Sequence, residues 1–212
     1  MIEWIDLTHE IDEHTLTYPG DPKFIRQVKA NHLQNGFHIE EITTAMHVGT
    51  HLDSPFHFIS NGITIEELDI NKLIGKAYVV HLLPDKNIIS TQRIKEQLVG
   101  VKNNTSILLI DTGNDVHFNT PRYFDVIPEF EPSVIELLEE YHIQVLGLDL
   151  PTISFPNRYI KEAHLAVLSR GIVLIEGLNN LSKCKDLIDF IGLPLKIKGM
   201  DGSMIRAVGK NL

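Results

Sequence analysis

Cysteine is nearly missing from this chain, and its scarcity excludes a fold held together by disulfides. The 212 residues contain a single cysteine, Cys184, so no disulfide can form within the chain. Such a composition is typical of proteins from a reducing compartment. The lone cysteine also argues against a structural zinc site, because those sites are commonly closed by several cysteine ligands.

Long apolar runs are missing as well. No apolar stretch approaches the roughly 20 residues that a membrane-spanning helix needs. The first six residues, Met-Ile-Glu-Trp-Ile-Asp, place acidic groups where a signal peptide has basic ones followed by an apolar run. We therefore expect a cytoplasmic protein that does not bind membranes.

Basic residues are in deficit. The chain contains 19 Lys and Arg residues but 28 Asp and Glu residues, which gives a formal net charge of −9. A surface of this sign repels nucleic-acid phosphates, so we expect no nucleic acid partner. A small anionic substrate stays compatible with this charge, because a bound divalent cation can reverse the local field.

No linker, repeat or low-complexity segment divides the chain. Hydrophobic residues make up 43% and charged residues 22%, which is ordinary for a globular protein and enough for a sizeable core. The sequence therefore predicts one domain that spans residues 1–212.

Short apolar runs predict buried strands, and helical patterns lie between them. The predicted strands are residues 37–46, 77–82, 106–110, 145–148 and 172–175, with weaker candidates at 195–198 and 204–208. The predicted helices are residues 91–98 capped by Ser90, a segment from Ser133 to about Tyr141 with Ser133 and Glu136 as a capping box, and residues 161–169 before Gly171. This alternation predicts an α/β fold with parallel strands and a β-rich N-terminal portion.

Histidine is abundant, with eleven residues, and three of them surround an aspartate in one short segment. The four residues are His47, His51, Asp53 and His57. Their offsets of four, two and four are all even, so an extended or gently turning segment would present them on one face. Gly49 and Pro55 disfavour a helix here, and in a helix Asp53 would point away from the histidines.

These residue types suit a divalent transition metal. Two imidazoles and a carboxylate bind zinc, manganese or iron, and three protein ligands leave coordination positions open for catalysis. The neighbours Thr50 and Ser54 would point to the opposite face and receive no role from this spacing. Spacing alone predicts a metal site but does not name a reaction.

The segment 47–58, His-Val-Gly-Thr-His-Leu-Asp-Ser-Pro-Phe-His-Phe, resembles the H-x-G-T-H-x-D-x-P-x-H signature of the cyclase family. That family includes bacterial kynurenine formamidases and isatin hydrolases. Segments similar to the family's other patterns are residues 5–8, 18–21, 109–113, 147–149, 163–165 and 172–178. The resemblance implies a swivelling β/β/α fold and metal-dependent hydrolysis of an amide or lactam-like C–N bond in a small molecule.

The resemblance also implies a role for individual residues. The implied metal ligands are His47, His51, Asp53, His164 and Glu176. They would hold one or two divalent ions, zinc or manganese, with Asp53 shared between two ions. His57 would be the catalytic proton-transfer residue beside a metal-activated hydroxide. Tyr18 and Pro19 would wall the substrate pocket of their own or of a neighbouring subunit, in a homodimer or a higher homo-oligomer.

Two further interpretations of the same site stay open. One is a metal-binding module without catalysis. His57 argues against this interpretation, because it is a titratable group beside an incomplete set of metal ligands. The other is a lyase or dehydratase in which the metal stabilises an enolate. The chain also departs from common family patterns at Asn114, Thr152 and Ser154, which are expected to shape the substrate pocket.

Overall fold

A computed structural model of the protein describes residues 3–84, 87–100 and 105–212. The strands in this part of the chain are Ile5–Asp6 (β1), Ile25–Ala30 (β2), Ile39–Thr43 (β3), His51–Asp53 (β4), Ile74–His81 (β5), Ile88–Ile89 (β6), Ile107–Asp111 (β7), Glu129–Phe130 (β8), Val145–Leu148 (β9), Val173–Glu176 (β10), Leu187–Pro194 (β11) and Gly202–Asn211 (β12). The α-helices are His32–Asn35 (α1), Thr91–Gln97 (α2), Pro121–Asp125 (α3), Val134–Glu140 (α4) and Ile160–Leu168 (α5). Among these described residues, no helix has the length and apolar character needed to cross a membrane.

A closed barrel forms the centre of the fold. One sheet has the strand order β1-β12-β11-β5-β7-β9-β10-β4, and β4 pairs again with β12. This pairing closes the seven strands from β12 to β4 into a barrel, which leaves no open edge among them. Strands β5, β7, β9 and β10 run parallel, and the remaining pairings of the barrel are antiparallel.

The parallel strands have continuous apolar sequences because both of their faces are buried. Every residue of β7 and of β9 is buried. On one face, Leu108 and Ile110 join a core with Val134 and Leu138 of α4. On the other face, Leu109 joins a second core that fills the barrel. The α/β class predicted from the alternation of strands and helices is confirmed.

The predicted helices are present, and Ser90 and Ser133 occupy the predicted N-cap positions, but the predicted side-chain capping bonds are absent. Neither Ser90 nor Ser133 makes a side-chain hydrogen bond to the first turn of its helix. The Ser133 hydroxyl donates to Thr91 Oγ1, and Glu131 accepts from the Thr91 backbone N–H. Contacts between the two helices have replaced the local bonds that the capping pattern predicts.

The C-terminal strands differ most from the prediction. Residues 195–198 were predicted as a strand but lie in the turn between β11 and β12, where Leu195 is 58% exposed. The predicted strand 204–208 lies within the longer β12. The single domain expected over residues 1–212 stays a prediction.

The predicted N-terminal strand 37–46 is present as β3, but it does not join the barrel. It pairs with β2 in a separate two-stranded antiparallel sheet. Every residue of β3 is exposed, including Ile39 and Ile42.

Candidate metal site

The segment 47–57 is extended only in its middle. Residues 51–53 form β4 between β10 and β12, whereas residues 55–57 form a 3-10 turn and Gly49 has a φ of +63°. The single extended face predicted from the even offsets is therefore limited to three residues. The four motif side chains converge nevertheless, because the chain bends toward the same cavity on both sides of β4.

Two histidines direct their Nε2 atoms at the same pair of buried carboxylates. His51 Nε2 lies 3.6 Å from Asp53 Oδ1 and 3.6 Å from Glu176 Oε2. His164 Nε2 lies 3.5 Å from Asp53 Oδ2 and 3.5 Å from Glu176 Oε1. The pairing of β4 with β10 sets His51 opposite Glu176, and α5 brings His164 to them. All four residues are buried.

The Nδ1 atoms of both rings lie within hydrogen-bond distance of backbone carbonyl oxygens. His51 Nδ1 lies 3.1 Å from Gly49 O, and His164 Nδ1 lies 2.8 Å from Ile160 O. A carbonyl oxygen only accepts, so Nδ1 carries the proton and Nε2 has the lone pair in each neutral ring. This arrangement is the usual one for a histidine that binds a metal.

The spacing of the ligand atoms fits a divalent cation. Separations of 3.5–3.6 Å exceed the about 2.7–2.9 Å of a charge-assisted hydrogen bond. They approach the about 3.3 Å that separates two ligands, each about 2.0–2.1 Å from a tetrahedral zinc ion. Asp53 Oδ2 is buried and has no hydrogen-bond partner among the described residues. Lone pairs this close repel one another unless a proton or a cation lies between them.

A second group of possible metal ligands lies beside the first group of His51, His164, Asp53 and Glu176, and the two groups share Asp53. His47 Nδ1 lies 2.8 Å from Asp53 Oδ1, and the rings of His47 and His57 stack with their centroids 4.0 Å apart. Asp201 Oδ2 lies 3.1 Å from His47 Nε2 and 3.3 Å from His57 Nδ1. The ligand atoms of His47, Asp53 and His57 lie within 4.8 Å of one another, so these three residues could also hold an ion.

The carboxylates hold protons on the buried imidazoles. Burial opposes protonation of His47, but the hydrogen bonds to Asp201 and Asp53 outweigh it and raise its pKa to about 10. Burial is likewise outweighed at His164, where Asp53 and Glu176 raise the pKa to about 10. Burial acts to raise the pKa of Asp53, yet the imidazoles of His164 and His47 hold it well below its usual range. A cation that binds here must displace these protons.

Residues on the far side of the segment fix its position. The Thr50 hydroxyl donates to Gly177 O and accepts from His9 N at 2.9 Å. The Ser54 hydroxyl donates to Asp201 O at 2.9 Å. Thr50 and Ser54, for which the spacing predicts no role, anchor the ends of β4 to neighbouring segments of the same chain.

A cavity of about 350 Å³ opens beside the two groups. Tyr18, Phe58, Pro151 and Ile160 form part of its wall, with Asp21, Lys161 and Thr152. Pro19 is not among the lining residues. Of the three positions that depart from the family pattern, Thr152 reaches the cavity, whereas Asn114 and Ser154 are buried away from it.

Asp201 is the residue that sequence reasoning missed. It lies in the Gly-Met-Asp-Gly-Ser sequence, 154 residues after His47, and no local spacing connects the two. The pairing of β12 with β4 sets Gly202 opposite Asp53 and so brings Asp201 to the histidines.

Gly202 leaves room for the His47 ring, and we expect Gly202→Ala to weaken metal binding. A Cβ atom at this position would lie 2.5 Å from His47 Cε1. The ring must then shift away from Asp53, and we expect a loss of about 10- to 100-fold in metal affinity, the size found when the support of a ligand is removed. Competition with a chromophoric chelator measures this affinity.

The matched control is Gly192→Ala in β11. Its Cβ would lie 2.8 Å from Phe190 Cζ, so it crowds the barrel core and not the histidines. Equal metal affinity in the two variants would contradict the prediction that His47 is a metal ligand.

The chain is similar to known proteins in both sequence and fold. The Cyclase family model matches residues 5–154, which include the segment 47–57. The kynurenine formamidase of Geobacillus thermodenitrificans (strain NG80-2) is 33% identical over 208 residues, covering 98% of this chain and 97% of that protein.

Solved structures share the fold of this chain. An isatin hydrolase bound to the product analogue thioisatinate has a TM-score of 0.87 at 22% identity, covering 99% of this chain and 92% of that chain. A structure described as a potential metal-dependent hydrolase with cyclase activity has a TM-score of 0.82 at 21% identity, covering 100% of this chain and 99% of that chain.

Proposed function

This chain belongs to the cyclase family. From that membership we propose that it is a metal-dependent amidohydrolase that cleaves a C–N bond other than a peptide bond. One observation carries the proposal. The Nε2 atoms of His51 and His164 face the same two buried carboxylates, at distances that suit metal ligands. The family membership confirms the resemblance seen in the motif.

We propose that His47, His51 and Asp53 hold one divalent ion and that His164 and Glu176 hold a second, with Asp53 between them. Support comes from the two oxygens of Asp53, of which Oδ1 faces His47 and His51 and Oδ2 faces His164. When bound, zinc or manganese supplies a charge that polarises a carbonyl and lowers the pKa of water from about 15.7 toward 7.

His57 is proposed as the proton-transfer residue. The side chains of His57, His51 and His164 all line the cavity, and that of His57 is 26% exposed, whereas those of His51 and His164 are 6% and 3% exposed. Asp201 faces its Nδ1, which leaves Nε2 to take a proton from the attacking water and give it to the departing nitrogen. Histidine suits this task because it exchanges protons near neutral pH.

The cavity suits a small substrate with an aromatic ring. Its volume of about 350 Å³ is at the lower end of the about 300–1,000 Å³ of small-molecule sites. The side chains of Tyr18, Phe58 and Ile160 offer an apolar wall beside the histidines. The substrate class that we propose is a formamide of an aromatic amine or an aromatic lactam, as the names of the related enzymes suggest.

Turnover of defined substrates tests this function. The protein, purified without a histidine tag and supplied with zinc or manganese, is given N-formylaniline, N-formylkynurenine and isatin. We expect hydrolysis of at least one of them, measured as formate release or as opening of the lactam ring. Bound metal without hydrolysis of any of the three would contradict the amidohydrolase and favour a metal-binding module or a lyase.

We also propose that the protein is a homodimer and that the β2–β3 sheet lies at its interface. An isolated two-stranded sheet is marginally stable in water, and Ile39 and Ile42 are each more than half exposed. Light scattering should give about 48 kDa, twice the chain mass of 24.0 kDa.

The double variant with Ile39→Glu and Ile42→Glu is expected to scatter as a monomer. Val116→Glu, at a residue 76% exposed elsewhere, serves as the control and should leave the mass unchanged. A monomeric wild-type protein would contradict the dimer. The cytoplasmic location expected from the sequence stays a prediction.

A further inference from the structure

We infer that Asp201 is a positioning residue for the reaction, whose carboxylate accepts the Nδ1 proton of His57 and so keeps Nε2 free to take a proton. The inference rests on the proposed function, because Asp201 would act through the proton-transfer role of His57. It adds to the site a residue that lies outside the motif of residues 47–57 and outside the stretch matched by the family model.

The contact between the two residues fixes the tautomer of His57. Asp201 Oδ2 lies 3.3 Å from His57 Nδ1. An ionised carboxylate only accepts, so the proton of this bond is on Nδ1 and the lone pair of the neutral ring is on Nε2. In the described part of the chain, the His57 side chain has no other hydrogen-bond partner.

The aromatic rings of His47, Phe58 and His164 also lie beside the His57 ring, and they leave its tautomer open. The ring stacks on His47 at an interplanar angle of 27° and meets Phe58 edge-on at 4.5 Å. These contacts restrict the plane of the imidazole without distinguishing its two nitrogens. The contact with Asp201 therefore sets which nitrogen is protonated.

Asp201 is itself held in place by its backbone. The N–H and the hydroxyl of Ser54 both donate to Asp201 O at 2.9 Å. The next residue, Gly202, begins β12 and pairs with Asp53 of β4. Both strands belong to the closed barrel. Asp201 directly precedes β12, and the 3-10 turn with His57 follows β4 after one residue, so each residue is attached closely to a barrel strand, which suits a positioning residue.

The alternative is that Asp201 affects the reaction through His47, by changing metal affinity. Asp201 Oδ2 also lies 3.1 Å from His47 Nε2, and a carboxylate behind a metal-binding histidine often tunes metal affinity. His47 has other supports, because Asp53 lies 2.8 Å from its Nδ1 and the ring packs closely over Gly202. Among the described residues, Asp201 alone makes a polar contact with the His57 side chain, so the larger effect is expected at His57.

A double-mutant cycle separates the two routes. Asp201→Ala, His57→Ala and the double variant are compared as metal-loaded proteins that hydrolyse the substrate found in the turnover assay. We expect Asp201→Ala to lower kcat by about 10- to 100-fold, a part of the about 10²–10⁴-fold that a placed acid–base group contributes. KM and metal content should stay within about twofold of the wild type, and Asp201→Ala should add no further loss once His57 is replaced.

The outcomes are distinguishable. Equal losses from Asp201→Ala in both backgrounds, or a fall in metal content that matches the fall in kcat, would overturn the inference in favour of His47. Full activity of His57→Ala would instead overturn the proposed role of His57 itself. Alanine keeps the backbone carbonyl that Ser54 binds, so the variant should fold, and Asp189→Ala in β11 serves as the control.

Discussion

Replacing Asp53 by asparagine is expected to abolish metal binding and hydrolysis together. Asp53 faces His47, His51 and His164, and it is fully buried among them. Asparagine removes the negative charge that both proposed ions share. Because the cation contributes several kcal/mol to the reaction and each 1.36 kcal/mol is a factor of ten, we expect kcat to fall by more than about 10³-fold.

Elemental analysis alongside kcat measures this effect. The control is the wild-type protein stripped with a chelator, which should lose its activity and regain it when zinc or manganese is added back. Asp53→Asn should not regain activity under the same conditions. A variant that keeps both its metal content and its turnover would show that Asp53 is not a ligand.

Replacing His57 by alanine is expected to lower kcat by about 10²–10⁴-fold while the metal stays bound. The physical reason is that the attacking water and the departing nitrogen lose the group that carries the proton between them. The geometry makes the metal measurement essential, because His57 also lies near enough to His47 and Asp53 to complete a ligand set. Its KM should change little, since the imidazole acts in the transition state.

The control for this variant is His14→Ala, at an exposed histidine outside the cavity. A parallel fall of metal content and kcat in His57→Ala would make His57 a metal ligand and remove its proposed role in proton transfer. Unchanged kcat with full metal content would also contradict that role.

The sequence predicts the parallel strands well because burial on both faces leaves a continuous apolar run. Val145–Leu148 is a strand with the predicted bounds. The sequence fails where apolar residues lie in a turn, as at Leu195 and Ile197, which stay exposed between β11 and β12. It also fails at the helix caps, where Ser133 has a partner in another helix that no local pattern reveals.

The sequence alone determined the chemistry of the site, since residues 47–57 bring imidazoles and a carboxylate within one short stretch of chain. Only the tertiary structure decided which distant groups meet them. Glu176 is placed by the register of β10 on β4, His164 by the helix before that strand, and Asp201 by the pairing of β12 with β4. Local spacing restricts residues a few positions apart, whereas contacts between residues more than a hundred positions apart depend on how the barrel closes.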